Sequence, residues 1–116
     1  RYIKLYNWSN QIEKALSKND LFVLPSLYEG SPNILLDSLN ISLPVISSDC
    51  SGAKDILANQ SQFIFKVNDK EDLIRKLKFF LLNKNKTNNH LKKSRKNLKK
   101  FLVSNCLNYK DLINKL

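Results

Sequence analysis

No methionine occurs anywhere in the 116 residues, and the chain opens on Arg1. A complete translated product would start with Met, so the sequence reads as a piece of something longer, or as a cleaved or trimmed product. Histidine occurs once, at His90, and cysteine twice, at Cys50 and Cys106, far apart and without metal-like spacing. These counts argue against a zinc centre, and both thiols are expected to pack inside a chain kept in a reducing, cytosolic compartment. No apolar run approaches the roughly 20 residues of a membrane-spanning helix, and no signal peptide is visible. Four Asn-X-Ser/Thr matches (Asn7, Asn40, Asn59, Asn85) are what an Asn-rich chain produces by chance.

Acidic residues are scarce in one part only. Residues 1–72 carry 7 basic and 9 acidic side chains, a net of −2, whereas residues 73–116 carry 13 basic side chains and a single acid, Asp111, a net of +12. Such asymmetry suits a basic face that meets phosphate, nucleic acid or anionic lipid; a solvated lysine-rich surface produces the same pattern.

What is present is an alternation of strand-like and helix-like runs. YIKLY at 2–6 reads as a short strand, and 9–18 as a short helix with Ser9 as its N-cap. LFVL at 21–24 is apolar throughout, as buried parallel strands are. A helix over 32–41, a strand at 44–47, a short helix around 53–58 and a strand at 63–67 follow. Asp69 caps a long amphipathic helix whose apolar positions, Leu73, Ile74, Leu77, Phe80 and Leu81, recur at helical spacing. The polar link KNKTNN ends it, and two helices, about 88–102 and 104–115, close the chain. The class is therefore α/β: a Rossmann-like parallel sheet with C-terminal helices, one domain without repeats. Ligands in such sheets sit beyond the carboxyl ends of the strands, which points at residues 25–33, 48–53 and 68–70.

The first of these loops carries the chemistry. In the reading LPSLYEGSPNILLD, Ser31 is a suitable N-cap and Pro32 a suitable first helical residue. Gly30 lets backbone approach a ligand closely. The N–H groups of Ser31, Asn33 and Ile34 at the positive helix end suit a phosphate. Glu29, acceptor-only when ionised, can take hydrogen bonds from hydroxyls, and a diol such as a ribose can bridge the two oxygens of Asp37 in the helix's second turn. Together these describe a nucleotide-sugar held by its hydroxylated ends and its phosphates. An ordinary capped helix preceded by a loop acid accounts for the same residues.

The stretch LFVLPSLYEGSPNILLDSLNISLPVISSDCSGAKDIL resembles the signature of the family-4 retaining glycosyltransferases of GT-B type, in their C-terminal, donor-binding domain. KLYNW before it and FIFKVNDKEDLIRKLKFFL after it continue the likeness over nearly the whole chain. The resemblance implies a partial nucleotide-sugar-binding domain over 1–83, with basic helices over 84–116 packed on it. It assigns Glu29 to hydroxyls of the donor sugar, and Gly30, Ser31, Pro32 and Asn33 to sugar and diphosphate. Asp37 falls to the ribose, and Gly52 to the cleft wall. The donor would be a UDP- or GDP-sugar and the acceptor a glycan or lipid-linked molecule, in polysaccharide or glycoconjugate synthesis, with no metal and no cofactor.

Several features depart from the family pattern. Asp37 stands where the family has a glutamate. The small-residue turn that usually contains glycine is Asn40-Ile41-Ser42, and the glycine before the next strand is replaced near Gln60-Ser61-Gln62. The Arg/Lys pair with which the family neutralises the leaving diphosphate belongs to a strand and helix ahead of this stretch. No catalytic residue is therefore assigned, and the fragment alone is expected to be inactive. A non-catalytic nucleotide- or phosphate-binding remnant and a basic membrane-surface module are the alternatives.

Residues 84–100 hold eight Lys/Arg and no acid, with Leu91 and Leu98 on a narrow apolar stripe that continues to Leu102. A solvated outer helix fits this pattern, as does peripheral contact with the inner face of an anionic membrane. The absence of interleaved aromatics argues against nucleic acid.

Overall fold

The computed structural model describes the backbone of residues 2–58 and 60–113 and, within them, side chains up to residue 99. Three parallel strands, β1 (Phe22–Leu24), β2 (Val45–Ser48) and β3 (Ile64–Phe65), lie in the order β1-β2-β3. Phe22 pairs with Val45 and Ser47 with Ile64, so β2 is the centre of the sheet. All four β2 residues are buried, which is why this run carries no outward polar alternation.

The crossovers are helical: α1 (Ile12–Leu16) precedes β1, α2 (Asn33–Asn40) joins β1 to β2, and α3 (Ser51–Ile56) with a 3-10 turn at Ser61–Phe63 joins β2 to β3. Alternate strand residues then feed two apolar layers. On one face Leu24 and Val45 pack with Leu35, Leu39, Ala53, Ile56, Leu57 and Leu98. On the other, Ile46, Phe63 and Phe65 pack with Val23, Leu73, Leu77 and Phe80 of α4 (Lys70–Leu82). The class is the expected Rossmann-like α/β arrangement, a helix-sheet-helix sandwich.

Local chemistry sets the boundaries. Asp69 caps α4 as its position suggests, its Oδ1 accepting the Asp72 N–H at 2.8 Å. Asn83 both ends α4, donating from Nδ2 to the Phe79 carbonyl at 2.9 Å, and opens α5 (Lys84–Ile113) by accepting the Thr87 N–H at 3.1 Å.

The structure corrects six local expectations. Residues 2–6 form no strand: Tyr2, Leu5 and Tyr6 are exposed, because among the described residues no sheet edge pairs with them. Ser9 is not the α1 cap, although its Oγ accepts the Gln11 N–H at 3.0 Å. Ser31 makes no cap bond to α2; Pro32 takes the capping position, its carbonyl accepting the Leu35 N–H at 2.9 Å. KNKTNN is the first turns of α5 rather than a link, and α5 runs unbroken through residue 103, since nothing between Asn83 and Ile113 is glycine or proline. Leu81, expected on the apolar side of α4, is 69% exposed. Leu91 and Leu98 do face the core, whereas the side chains of Leu102 and Cys106 lie outside the described region; Cys50 is buried.

One polar cluster is sealed into this packing. His90 of α5 is buried and stacks on Phe63 at a centroid separation of 3.6 Å. Its Nδ1 lies 3.4 Å from Ser94 Oγ, which also accepts from Gln60 Nε2 at 2.9 Å. Among the described residues its Nε2 has no partner. Burial pushes the imidazole down to about 4; the Val45 carbonyl pulls the other way, but no hydrogen bond to Nε2 forms, so desolvation decides.

Candidate functional site

The loops that leave the carboxyl ends of β1, β2 and β3 are tied to one another by hydrogen bonds. Ser48 Oγ, at the end of β2, donates to the Ser26 carbonyl at 2.5 Å. The Gly52 N–H, in the first turn of α3, donates to the Glu29 carbonyl at 3.2 Å. Asp49 Oδ1 accepts the Val67 N–H at 2.9 Å. The three loops indicated by the sequence thus form one rim at one end of the sheet. Lys54 sits 3.8 Å from Asp49, a largely solvated pair of little energetic weight.

Glu29 is half-buried, and its Oε1 accepts from Ser26 Oγ at 2.9 Å. The same Ser26 receives Ser48 at its carbonyl, so the orientation of Glu29 is traceable to the end of the central strand. Among the described residues, no hydrogen bond takes the second carboxylate oxygen, which leaves it available as an acceptor.

The two glycines behave differently. A Cβ on Gly52 would overlap the carbonyl oxygen of Gly30 and come within 2.8 Å of its carbonyl carbon, so the approach of α3 to the Glu29-Gly30 loop requires glycine there. A Cβ on Gly30 would meet nothing within 4 Å. The space above Gly30 is open.

At that end of α2, Ser31 and Asn33 are exposed and Pro32 is buried. Leu35 and Leu36 direct their N–H groups to the Pro32 carbonyl, while among the described residues the N–H groups of Asn33 and Ile34 have no acceptor in the chain. Free N–H groups at a helix start carry the positive end of the helix dipole. Asp37 is half-buried one turn later, on the flank of the buried Leu35–Leu39 face, with no ion pair among the described residues. Glu29, Gly30, Ser31, Pro32, Asn33 and Gly52 are therefore gathered at one rim, with Asp37 along the helix beside it.

The rim-holding residues were not singled out in the sequence: Ser26, Ser48 and Asp49. Their signal was legible, since a strand reading VISSD ends on hydroxyls and an acid, and Ser48 is buried. A buried hydroxyl at a strand end needs a partner, here a neighbouring loop. Behind the rim, Asp72 accepts the Lys66 N–H at 2.9 Å and pairs with Arg75 at 3.1 Å. The Lys66 bond, and then the Arg75 and Lys76 cations, hold its carboxyl below the usual range despite burial.

Among the described residues no group of His, Cys, Asp and Glu is arranged to hold a metal, and no helix is long and apolar enough to cross a membrane. The family described as Glycosyl transferases group 1 matches residues 2–100. The chain is 36% identical over 74 residues to the UDP-Gal:alpha-D-GlcNAc-diphosphoundecaprenol alpha-1,3-galactosyltransferase of Escherichia coli, covering 63% of this chain and 19% of that protein. It is 29% identical over 76 residues to the Sulfoquinovosyl transferase SQD2 of Arabidopsis thaliana, covering 62% and 15% respectively. To Protein CapJ of Staphylococcus aureus it is 25% identical over 118 residues, covering 95% and 28%. The chain thus spans less than a third of the length of each of these relatives. No solved structure gives a significant match.

Proposed function

The chain belongs to the glycosyl transferases group 1 family, and from that premise we propose that it is part of the donor-binding half of a family-4, retaining glycosyltransferase of GT-B type. The observation that carries this reading is the rim itself. An acceptor carboxylate, a helix start with unpaired N–H groups and an open space over Gly30 lie side by side.

In this reading the backbone of Gly30, Ser31, Pro32 and Asn33 receives the diphosphate of the donor. The free oxygen of Glu29 accepts from hydroxyls of the sugar, and Asp37 accepts from the ribose diol. Gly52 keeps the rim closed behind them. Nucleotide-sugar is a substrate, so neither a metal nor a resident cofactor is invoked. The negative charge that develops on the departing diphosphate needs cations, which the longer polypeptide would supply; this piece alone would bind without turning over.

The donor is a UDP- or GDP-sugar. The acceptor is a glycan or lipid-linked molecule, in keeping with the diphosphoundecaprenol in the name of the Escherichia coli relative, and polysaccharide or glycoconjugate synthesis follows. A cytoplasmic location, with peripheral contact between residues 84–100 and an anionic membrane, completes the proposal.

Calorimetric titration of the longer polypeptide with UDP, GDP and their sugars tests the reading. Saturable binding that is lost in both Glu29→Ala and Asp37→Ala supports it; binding indifferent to both removes it. Binding without sugar transfer by the complete polypeptide would favour the remnant reading instead.

A further inference from the structure

Of the large apolar side chains exposed among the described residues, Leu27 and Tyr28 are the two carried by the rim loops, at 68% and 82% exposure. Both lie between two fixed points of the loop that leaves β1. The Ser26 carbonyl accepts from Ser48 Oγ, and the Glu29 carbonyl accepts the Gly52 N–H at 3.2 Å. Ser51 Oγ reaches the same Glu29 carbonyl at 3.4 Å. The backbone on either side of Leu27-Tyr28 is therefore held from β2 and α3, while neither side chain joins the two apolar layers behind it. Among the described residues the Tyr28 ring has no aromatic or cationic partner.

Neighbouring side chains in this loop are used in opposite ways. Glu29 is drawn inward, half-buried, with its carboxylate bonded to Ser26 Oγ at 2.9 Å, whereas Tyr28 stands in solvent. Loops anchored on a rigid sheet are where binding groups are presented. An aromatic ring has a negative face and, in tyrosine, a polar tip. That combination suits a pyranose, whose C–H face is apolar and whose hydroxyls lie around its edge.

We propose that Tyr28, with Leu27 beside it, is the platform on which a pyranose ring of the acceptor glycan stacks. The inference rests on the donor reading above and adds the side from which the acceptor arrives. For transfer, an acceptor hydroxyl must reach the anomeric carbon of the donor sugar, so the acceptor ring has to lie next to the group that holds that sugar. In the donor reading that group is Glu29, and Tyr28 is its neighbour, turned to the open side. One ring and one leucine offer a contact the size of a single pyranose, too small for an extended lipid tail.

The test is saturation-transfer NMR on the complete polypeptide with UDP or GDP bound. The probes are octyl glycosides of glucose, galactose and N-acetylglucosamine, kept below their micelle-forming concentrations. Saturation is expected at the ring protons of at least one glycoside. Tyr28→Ala and Tyr28→Leu should weaken that binding about tenfold, whereas Tyr28→Phe and Tyr28→Trp retain it. Nucleotide affinity should be the same in Tyr28→Ala as in the unaltered polypeptide. Failure of the unaltered polypeptide to bind nucleotide would strike the donor reading. Nucleotide binding with no saturation at any sugar ring, or with equal saturation in Tyr28→Ala, overturns the platform alone. Full binding by Tyr28→Leu, or saturation confined to the octyl chain, marks a lipid contact and also overturns it. Loss of nucleotide affinity in Tyr28→Ala would put the ring in the donor site, and a lower melting temperature with unchanged saturation would mark a contact within the polypeptide; either overturns it too.

Discussion

His90 makes the stability of this fold depend on pH between its ordinary value and its lowered one. Its pKa falls from 6.5 to about 4 because the ring is buried against Phe63 with Nε2 unpaired. The folded state therefore resists protonation, and the unfolded chain binds the proton more tightly. Stability is full above pH 6.5, declines as pH falls through that value, and levels out near pH 4. At 1.36 kcal/mol per pH unit, the interval corresponds to about 3 kcal/mol, of which about 2 kcal/mol is already lost at pH 5. Urea unfolding followed by circular dichroism, from pH 7.5 down to pH 4.5, measures the slope. His90→Phe keeps a ring on Phe63 and leaves Ser94 bonded to Gln60, so the variant should fold with a flat profile across the window. A wild-type profile that is flat between pH 7 and pH 4.5, or a slope that survives in His90→Phe, would refute the argument that burial sets this group.

Other consequences follow from the rim and its supports. Gly52→Ala should cost about 1–3 kcal/mol by overpacking and weaken nucleotide binding as well, because the Gly30 backbone must move; thermal melts and titration read both effects. Asp37→Glu restores the longer carboxylate of the family pattern and is expected to keep or improve ribose binding, whereas Asp37→Ala loses it; competition between nucleotide and 2′,3′-dideoxynucleotide resolves the two. Asp72→Ala should cost about 2 kcal/mol at neutral pH through loss of the Lys66 bond and the adjacent cations. The Asp72 contribution is present above pH 3.8 and disappears as pH falls through the lower folded value, below the His90 window. Ser48→Ala should leave the sheet intact but loosen the Ser26–Glu29 loop, seen as faster amide exchange there and weaker nucleotide binding.

Much of the candidate site could be read from residue order because its parts are local. LFVL and PVIS mark buried strands by apolar content alone, and Glu-Gly-Ser-Pro-Asn places an acid, an open glycine and a helix start within five positions. Asp69 as a cap and the Leu35–Leu39 face of α2 likewise depend only on neighbours a turn away. Where local signals were weak, they failed. YIKLY has strand composition, but a strand exists only when another edge pairs with it, and composition carries no such partner. KNKTNN looked like a link because Asn and Lys are poor indicators of a boundary when no glycine or proline accompanies them.

The sequence by itself determined the alternation of elements, the unequal distribution of charge and the cluster of acid, glycine and helix start after the first core strand. Each is a property of residues within a few positions of one another. Tertiary structure alone decided that Gly52 must lack a side chain, that Ser48 holds the loop of Glu29 through Ser26, that His90 is sealed against Phe63, and that Arg95 meets Ser42. Those pairs lie 22 to 53 residues apart in the chain. Their contact free energy exists only once the sheet has brought distant segments within van der Waals and hydrogen-bond reach.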